Sequence, residues 1–179
     1  MDLFGRLADW RPLIVAAGRD HYSQERFSTH DRRFRLVWVP RYRGNSMGRM
    51  VGWVIYAVRA AILGLSRRRL GLVYASSPSL LAPVAGWLVA RVRRVPLVVE
   101  IRDLWPESLV SAGALAEGGL LHRVLKRLER WLMCSADRIV AVTSGWEDHF
   151  ASLGVAPQKV FVVPNGAETS DFSPVDGDG

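Results

Sequence analysis

Arg102, Asp103 and Glu107 fall within six residues of one another, inside Pro96-Leu97-Val98-Val99-Glu100-Ile101-Arg102-Asp103-Leu104-Trp105-Pro106-Glu107-Ser108. Residue types of this kind perform proton transfer and charge stabilisation. The run from Pro96 to Ile101 is short and apolar, and reads as a buried strand of a parallel sheet. In open α/β sheets ligands bind where strands end at their carboxyl edge, which is where the charged cluster begins. A purely structural reading fits the same residues: Arg102 and Asp103 pair with neighbours, and Pro106 stops the strand and opens a helix.

The elements around this stretch alternate. Residues 2–9 read as the tail of a helix, Leu13–Ala17 as a strand closed by Gly18, and Phe34–Val39 as a second strand stopped by Pro40. Asn45 or Ser46 caps a helix from Met47 to Ser66, where apolar residues recur at helical spacing over a wide arc. Leu72–Ala75 is the third strand, and it leads through Ser76-Ser77-Pro78-Ser79 into a buried crossover helix, Leu80–Val92. After the Pro96–Ile101 strand comes an amphipathic helix, Leu120–Cys134. Its expected core side is Leu121, Val124, Leu125, Leu128 and Leu132, with His122 among solvated cations and Cys134 packed as a small hydrophobe. Arg138–Val142 is a fifth strand, Thr143-Ser144-Gly145 caps a short helix carrying an exposed His149, and Lys159–Val163 is a sixth strand before the turn Pro164-Asn165-Gly166. This alternation implies an α/β fold, a Rossmann-like open parallel sheet with helices on both faces.

Charge is unevenly placed. Residues 1–94 hold 17 Arg, no Lys and 5 acids, whereas residues 95–179 hold 7 basic and 12 acidic groups. A basic half points to a polyanion or an anionic membrane surface. No zinc-finger spacing or RNA-binding aromatic signature accompanies it, so nucleic acid is not the expected partner. Around Met50–Leu65 and the following Arg67-Arg68-Arg69 two readings stand: a helix packed on the sheet with cations at its C-terminal end, or a surface touching anionic headgroups. The apolar run is shorter than the roughly 20 residues a bilayer span needs and is broken by Arg59, so no transmembrane helix is expected. No signal peptide is read from Met1-Asp2-Leu3, and the lone Cys134 fits a reducing, cytoplasmic setting.

The chain has no Gly-x-Gly-x-x-Gly after a strand, no Walker A sequence, no nucleophile elbow and no paired-His zinc motif. Carboxylate or arginine chemistry at strand ends is what remains.

Four segments together carry a resemblance. They are Tyr74-Ala75-Ser76-Ser77-Pro78, the Pro96–Ser108 run, Ala136-Asp137-Arg138-Ile139-Val140-Ala141-Val142-Thr143-Ser144-Gly145, and Lys159-Val160-Phe161-Val162-Val163-Pro164-Asn165-Gly166-Ala167. In this order and spacing the chain resembles the N-terminal, acceptor-side domain of family 4-like glycosyltransferases. The Arg-Asp-Leu-Trp-Pro-Glu-Ser run is similar to that of bacterial enzymes of lipopolysaccharide O-antigen, capsule and exopolysaccharide assembly. The resemblance implies a GT-B enzyme of hexosyltransferase type whose second domain binds a nucleotide sugar, a UDP-sugar in this reading, with no metal or other cofactor in the chemistry. It implies a lipid-linked sugar or polyprenyl-phosphate acceptor, and a cytoplasmic protein held peripherally on the inner face of the cytoplasmic membrane.

Carried onto this chain, the resemblance makes Asp103 the general base or electrostatic partner of the acceptor hydroxyl. Arg102 stabilises phosphate charge or keeps Asp103 ionised. Ser77, Asn165 and Gly166 line the cleft, and Glu107 fixes the loop. Many relatives carry His immediately before the Asp; here that residue is Arg102, which excludes a His base at that position. The expected organisation is a domain over residues 1–174 that lacks the family's first strand and Gly-rich loop, then an acidic linker over residues 175–179, with the donor-binding domain absent. The alternative is a non-catalytic Rossmann-like interaction domain or a vestigial fragment.

Overall fold

A computed structural model describes residues 10–20, 23–42, 47–77 and 79–166. The helical tail expected over residues 2–9, the caps Asn45 and Ser46, Pro78, Ala167 and the linker over residues 175–179 lie outside the described residues. Strands β1 (Ile14–Ala17) and β2 (Phe34–Val37) pair in parallel. Strands β3 (Val73–Ser76), β4 (Leu97–Ile101), β5 (Arg138–Ala141) and β6 (Val160–Val162) form a second parallel sheet in that order. The six expected strands are present with ends shifted by one or two residues.

Helix α1 (Met47–Ser66) follows β2, α2 (Leu81–Arg93) links β3 to β4, and α3 (Glu107–Ser111) and α4 (Leu120–Ser135) link β4 to β5. A 3₁₀ turn capped by Thr143 leads into α5 (Glu147–Ser152) before β6. Helix α2 stops where Arg94 turns left-handed (φ 56°), letting the Val95 amide bond the Ala90 carbonyl at 3.0 Å, the 6→1 closure of a Schellman motif. The α4 C-terminus is closed by Lys159, whose ammonium donates to the carbonyls of Cys134 (3.0 Å) and Ala136 (2.8 Å), a cation placed at the negative end of the helix dipole.

One core dominates. Leu97, Val99 and Ile101 of β4 and Ile139 and Ala141 of β5 bury against Leu132 and Met133 of α4 and Phe150 of α5, with Trp53 of α1 and Trp87 of α2 packed on the same cluster. These helices therefore share one face of the sheet. The alternate strand residues Tyr74, Val98, Glu100 and Val140 turn the other way and keep partial or full exposure. The expected α/β class with a Rossmann-like parallel sheet is present, but among the described residues the helical layer covers this one face. Strands that follow one another in the same direction place their crossovers on the same side.

No strand pairing among the described residues joins β1–β2 to the larger sheet. The amides of Ile14 and Gly18 donate to Arg33 and Val37 on the β2 side, so by the alternation of a strand Val15 points its backbone groups away. The Tyr56 hydroxyl of α1 donates to the Val15 carbonyl at 2.9 Å, and burial pushes that phenol's pKa up. The same helix lies against α2 where Gly64 meets Val89 and a Cβ would sit 2.8 Å from a valine methyl. Gly86 sits equally close to Ala75, seating α2 on β3.

Two expectations for α4 are corrected. Its inner face carries His122, Glu129, Leu132 and Met133, while Leu121 and Val124 are exposed. Cys134 is exposed rather than packed. Helix α1 is long and apolar enough, by length and composition, to cross a membrane over Gly48–Ser66. Its contacts with Val15, Val89 and Trp105 are those of a helix lying on a sheet.

Candidate functional site

The carboxyl ends of β3 to β6 fall along one edge of the parallel sheet. The Ser77 amide donates to the Glu100 carbonyl at 2.9 Å, which extends the β3–β4 ladder by one residue. The buried Ser77 hydroxyl then accepts the Arg102 amide at 2.9 Å. Ser77 thus fixes the backbone where β4 gives way to the charged loop. Beyond it Trp105 is buried edge-on against Trp53, with ring centroids 5.2 Å apart. The Trp105–Pro106 peptide is cis, Pro106 is fully buried, and the Ser108 amide returns to the Leu104 carbonyl at 2.8 Å. Indole and proline anchor the loop from below while its first two charged residues stay outside.

Arg102 and Asp103 are both exposed, and among the described residues neither side chain makes a hydrogen bond or ion pair, with each other or with any neighbour. The structural pairing that the sequence left open is absent there. The Arg102 guanidinium acts only at longer range: burial and the Glu100 carboxylate push the Tyr74 hydroxyl's pKa up, and Arg102 opposes them. Tyr74 and Glu100 thus border the site, although the sequence reading gave them no role. The signal was available, since residues 98, 100 and 102 share a strand face and Tyr74 pairs in register with Val98.

Glu107 is committed elsewhere. Its carboxylate lies 2.7 Å from the Lys126 ammonium and 3.6 Å from His122 Nε2. The Lys126 hydrogen bond is the main cause that holds its pKa below the usual carboxylate range and raises that of Lys126. His122 is buried, not solvated, and its Nδ1 accepts the Gly118 amide at 3.0 Å. His149 is likewise not free: it meets the buried Glu129 carboxylate at 2.8 Å. These two contacts tie α4 to α3 and α5.

Asn165 and Gly166 lie beyond β6 and are exposed. The Val163 amide donates to the Ala141 carbonyl at 2.8 Å, which carries the chain up to the same edge. Two strand spacings separate β6 from β4, roughly 10 Å, so Asn165 shares the edge with Asp103 without touching it. Ser77 and Arg102 are brought together; Glu107 and Asn165 are placed apart from them. Asp137, quoted for its motif alone, holds the opposite end of the sheet: its carboxylate accepts the Leu97 amide at 2.8 Å, and its amide donates back to Leu97 at 3.0 Å.

Among the described residues no group of three or more His, Cys, Asp or Glu is placed to hold a metal ion. The site offers a ligand the uncommitted carboxylates of Asp103 and Glu100, the uncommitted Arg102 guanidinium and a backbone fixed beneath them.

A family model described as a glycosyl transferase 4-like domain matches residues 5–166. A curated protein from Pseudomonas aeruginosa described as a probable glycosyltransferase, WbjE, is 31% identical over 78 residues. That match takes in 44% of this chain and 20% of the relative, so the aligned part spans about a fifth of the relative's length.

Proposed function

The chain belongs to the glycosyl transferase 4-like family, and on that premise we propose that it forms the acceptor-side half of an enzyme of cell-surface polysaccharide synthesis. The enzyme moves a hexose from a nucleotide sugar, a UDP-sugar, to a lipid-linked sugar or polyprenyl-phosphate acceptor. With a lipid-linked sugar as acceptor, Asp103 takes the proton of the attacking hydroxyl as its oxygen bonds to the anomeric carbon; the ionised oxygen of a polyprenyl phosphate attacks without a base. The bond from that carbon to the donor phosphate breaks, the phosphate leaves with the electron pair, and Arg102 offsets its charge. Ser77 is a positioning residue that acts through the Arg102 amide. Asn165 and Gly166 line the far side of the same edge, and Glu107 holds the loop.

The observation that carries this reading is the exposed, unpartnered Asp103 carboxylate on a loop fixed from beneath by Ser77 and Trp105. A nucleotide sugar needs a donor-binding half, which this reading assigns to a further domain or a separate chain. The 179-residue chain alone is expected to transfer little or no sugar. The test compares extracts of the protein's own cells with and without the protein, each incubated with radiolabelled nucleotide sugars and membrane lipids, so that a donor-binding half on a separate chain is also present. A labelled lipid-linked product that disappears when the protein is removed is the expected result; identical labelling in both extracts with every nucleotide sugar overturns the proposal and favours a non-catalytic interaction domain of the same fold.

A further inference from the structure

Helix α1 is apolar over most of its circumference, with Arg49 and Arg59 as its only charged residues, and a helix so apolar normally lies in a core. This one does not: only 11% of its Gly48–Ser66 stretch is buried. Its inner side is occupied by Trp53 on Trp105, Tyr56 on Val15, and Ala61 and Gly64 against α2. The outer side presents Val51, Val54, Val58 and Ile62, each about half exposed or more, at helical spacing along the whole element. Contiguous apolar surface of this extent marks an interaction site.

Its electrostatic setting selects the occupant. From residue 32 to residue 99 the chain carries 13 Arg and no Lys, Asp or Glu. Among the described residues no carboxylate pairs with Arg59, Arg67, Arg68 or Arg69. Arg59 lies over the ring of Trp38, an indole that is itself half exposed, with 5.3 Å to the ring centroid. Arg67–Arg69 close α1, and Arg91, Arg93 and Arg94 close α2. Each cluster immediately precedes one of the register partners Val73 and Leu97, so the two clusters share the amino edge of the sheet. Valine and isoleucine with an indole and arginines at the margin is the composition of a helix lying in a lipid interface, its cations paired with headgroup phosphates.

We propose that the outer face of α1 is a docking surface for an anionic bilayer, on which the helix lies flat. A 20-residue helix is about 30 Å long, enough to span, but spanning would require it to leave Val15, Val89 and Trp105. Lying flat brings both edges of the sheet alongside the lipid, so the edge bearing Asp103 sits at the membrane surface rather than facing away from it. The proposal gives the membrane-bound acceptor of the proposed function its approach, but the surface itself stands on exposure and charge.

The test is co-sedimentation of the full chain with vesicles of phosphatidylcholine alone and of phosphatidylcholine mixed with phosphatidylglycerol, whose headgroup supplies the negative surface charge of an anionic leaflet. Neither contains an acceptor lipid, so failure of transfer and failure of docking are read separately. At least tenfold tighter binding to the phosphatidylglycerol vesicles is expected. V54D/V58D, at exposed positions, should reduce that binding at least tenfold with an unchanged circular dichroism spectrum. R67E/R68E/R69E should abolish the preference for phosphatidylglycerol. Equal or absent binding to both vesicles overturns the proposal. So does a stable dimer that V54D/V58D dissociates, which assigns the face to a second copy, or retention in the membrane after alkaline carbonate washing, which assigns α1 to a span.

Discussion

Two regions of the molecule carry carboxylates close to the sheet, and they are built in opposite ways. At the carboxyl edge of β4 the backbone is fixed and the side chains are free: Ser77 holds the Arg102 amide, while Asp103 has no partner among the described residues. Around α4 the side chains themselves are the fixtures. Glu107 is held by Lys126 and His122, and the buried Glu129 by His149. A charge already paired inside the protein has little left for a ligand, and a buried charge without a partner is costly. The difference separates the carboxylate available for chemistry from those that hold helices in place.

The comparison would be broken most visibly by Asp103→Asn in the complete enzyme. Sugar transfer should fall by about 10² or more, the scale of a lost general base, while thermal unfolding stays unchanged because the exposed carboxylate has no hydrogen bond or ion pair among the described residues. A drop in melting temperature with full activity would place Asp103 with the structural set. His149→Ala acts on the other region. It leaves the buried Glu129 carboxylate, whose Oε2 already lacks a partner, without its imidazole, and should cost about 1–3 kcal/mol in urea unfolding. An unchanged midpoint would mean that the pair holds nothing.

The smallest effect belongs to Glu107, whose carboxylate is about one-third exposed. Glu107→Gln should lower stability by about 0.5 kcal/mol near neutral pH. Because the folded pKa of Glu107 lies below its ordinary value, the stabilisation is present above the unfolded pKa and is lost as pH falls through the folded one. Wild type and variant should therefore converge in stability on acidification. A gap that persists in acid would show that the hydrogen-bonding shape, not the charge, is what matters.

Much of this was legible along the chain. Periodicity located α1 at its observed ends, and the apolar run after Pro96 was a buried strand leading into the candidate site. Reading α4 went wrong because an amphipathic pattern assigns polar side chains to water, whereas His122 and Glu129 turn inward to meet Glu107 and His149, residues 15 and 20 positions away. No local window contains such a partner. The same limit hid the freedom of Asp103: whether a charge is paired depends on which residues the topology brings to it. That the described helices share one face follows from strand order, which the alternation of elements does not specify.

The separation of β1–β2 from the larger sheet bears on how the molecule deforms. Ladder hydrogen bonds tie a sheet together across its strands, and among the described residues the ladder of the larger sheet stops at β3. The ribbon is coupled to the rest through a helix and a phenol rather than through a backbone ladder. Among the described residues, moving it together with α1 would break no strand-to-strand bond, but would break the contacts of α1 with Val89 and Trp105. The described residues thus form two parallel sheets that share helix α1: the four-stranded one carries the Asp103 loop, and the two-stranded one meets it through side chains alone.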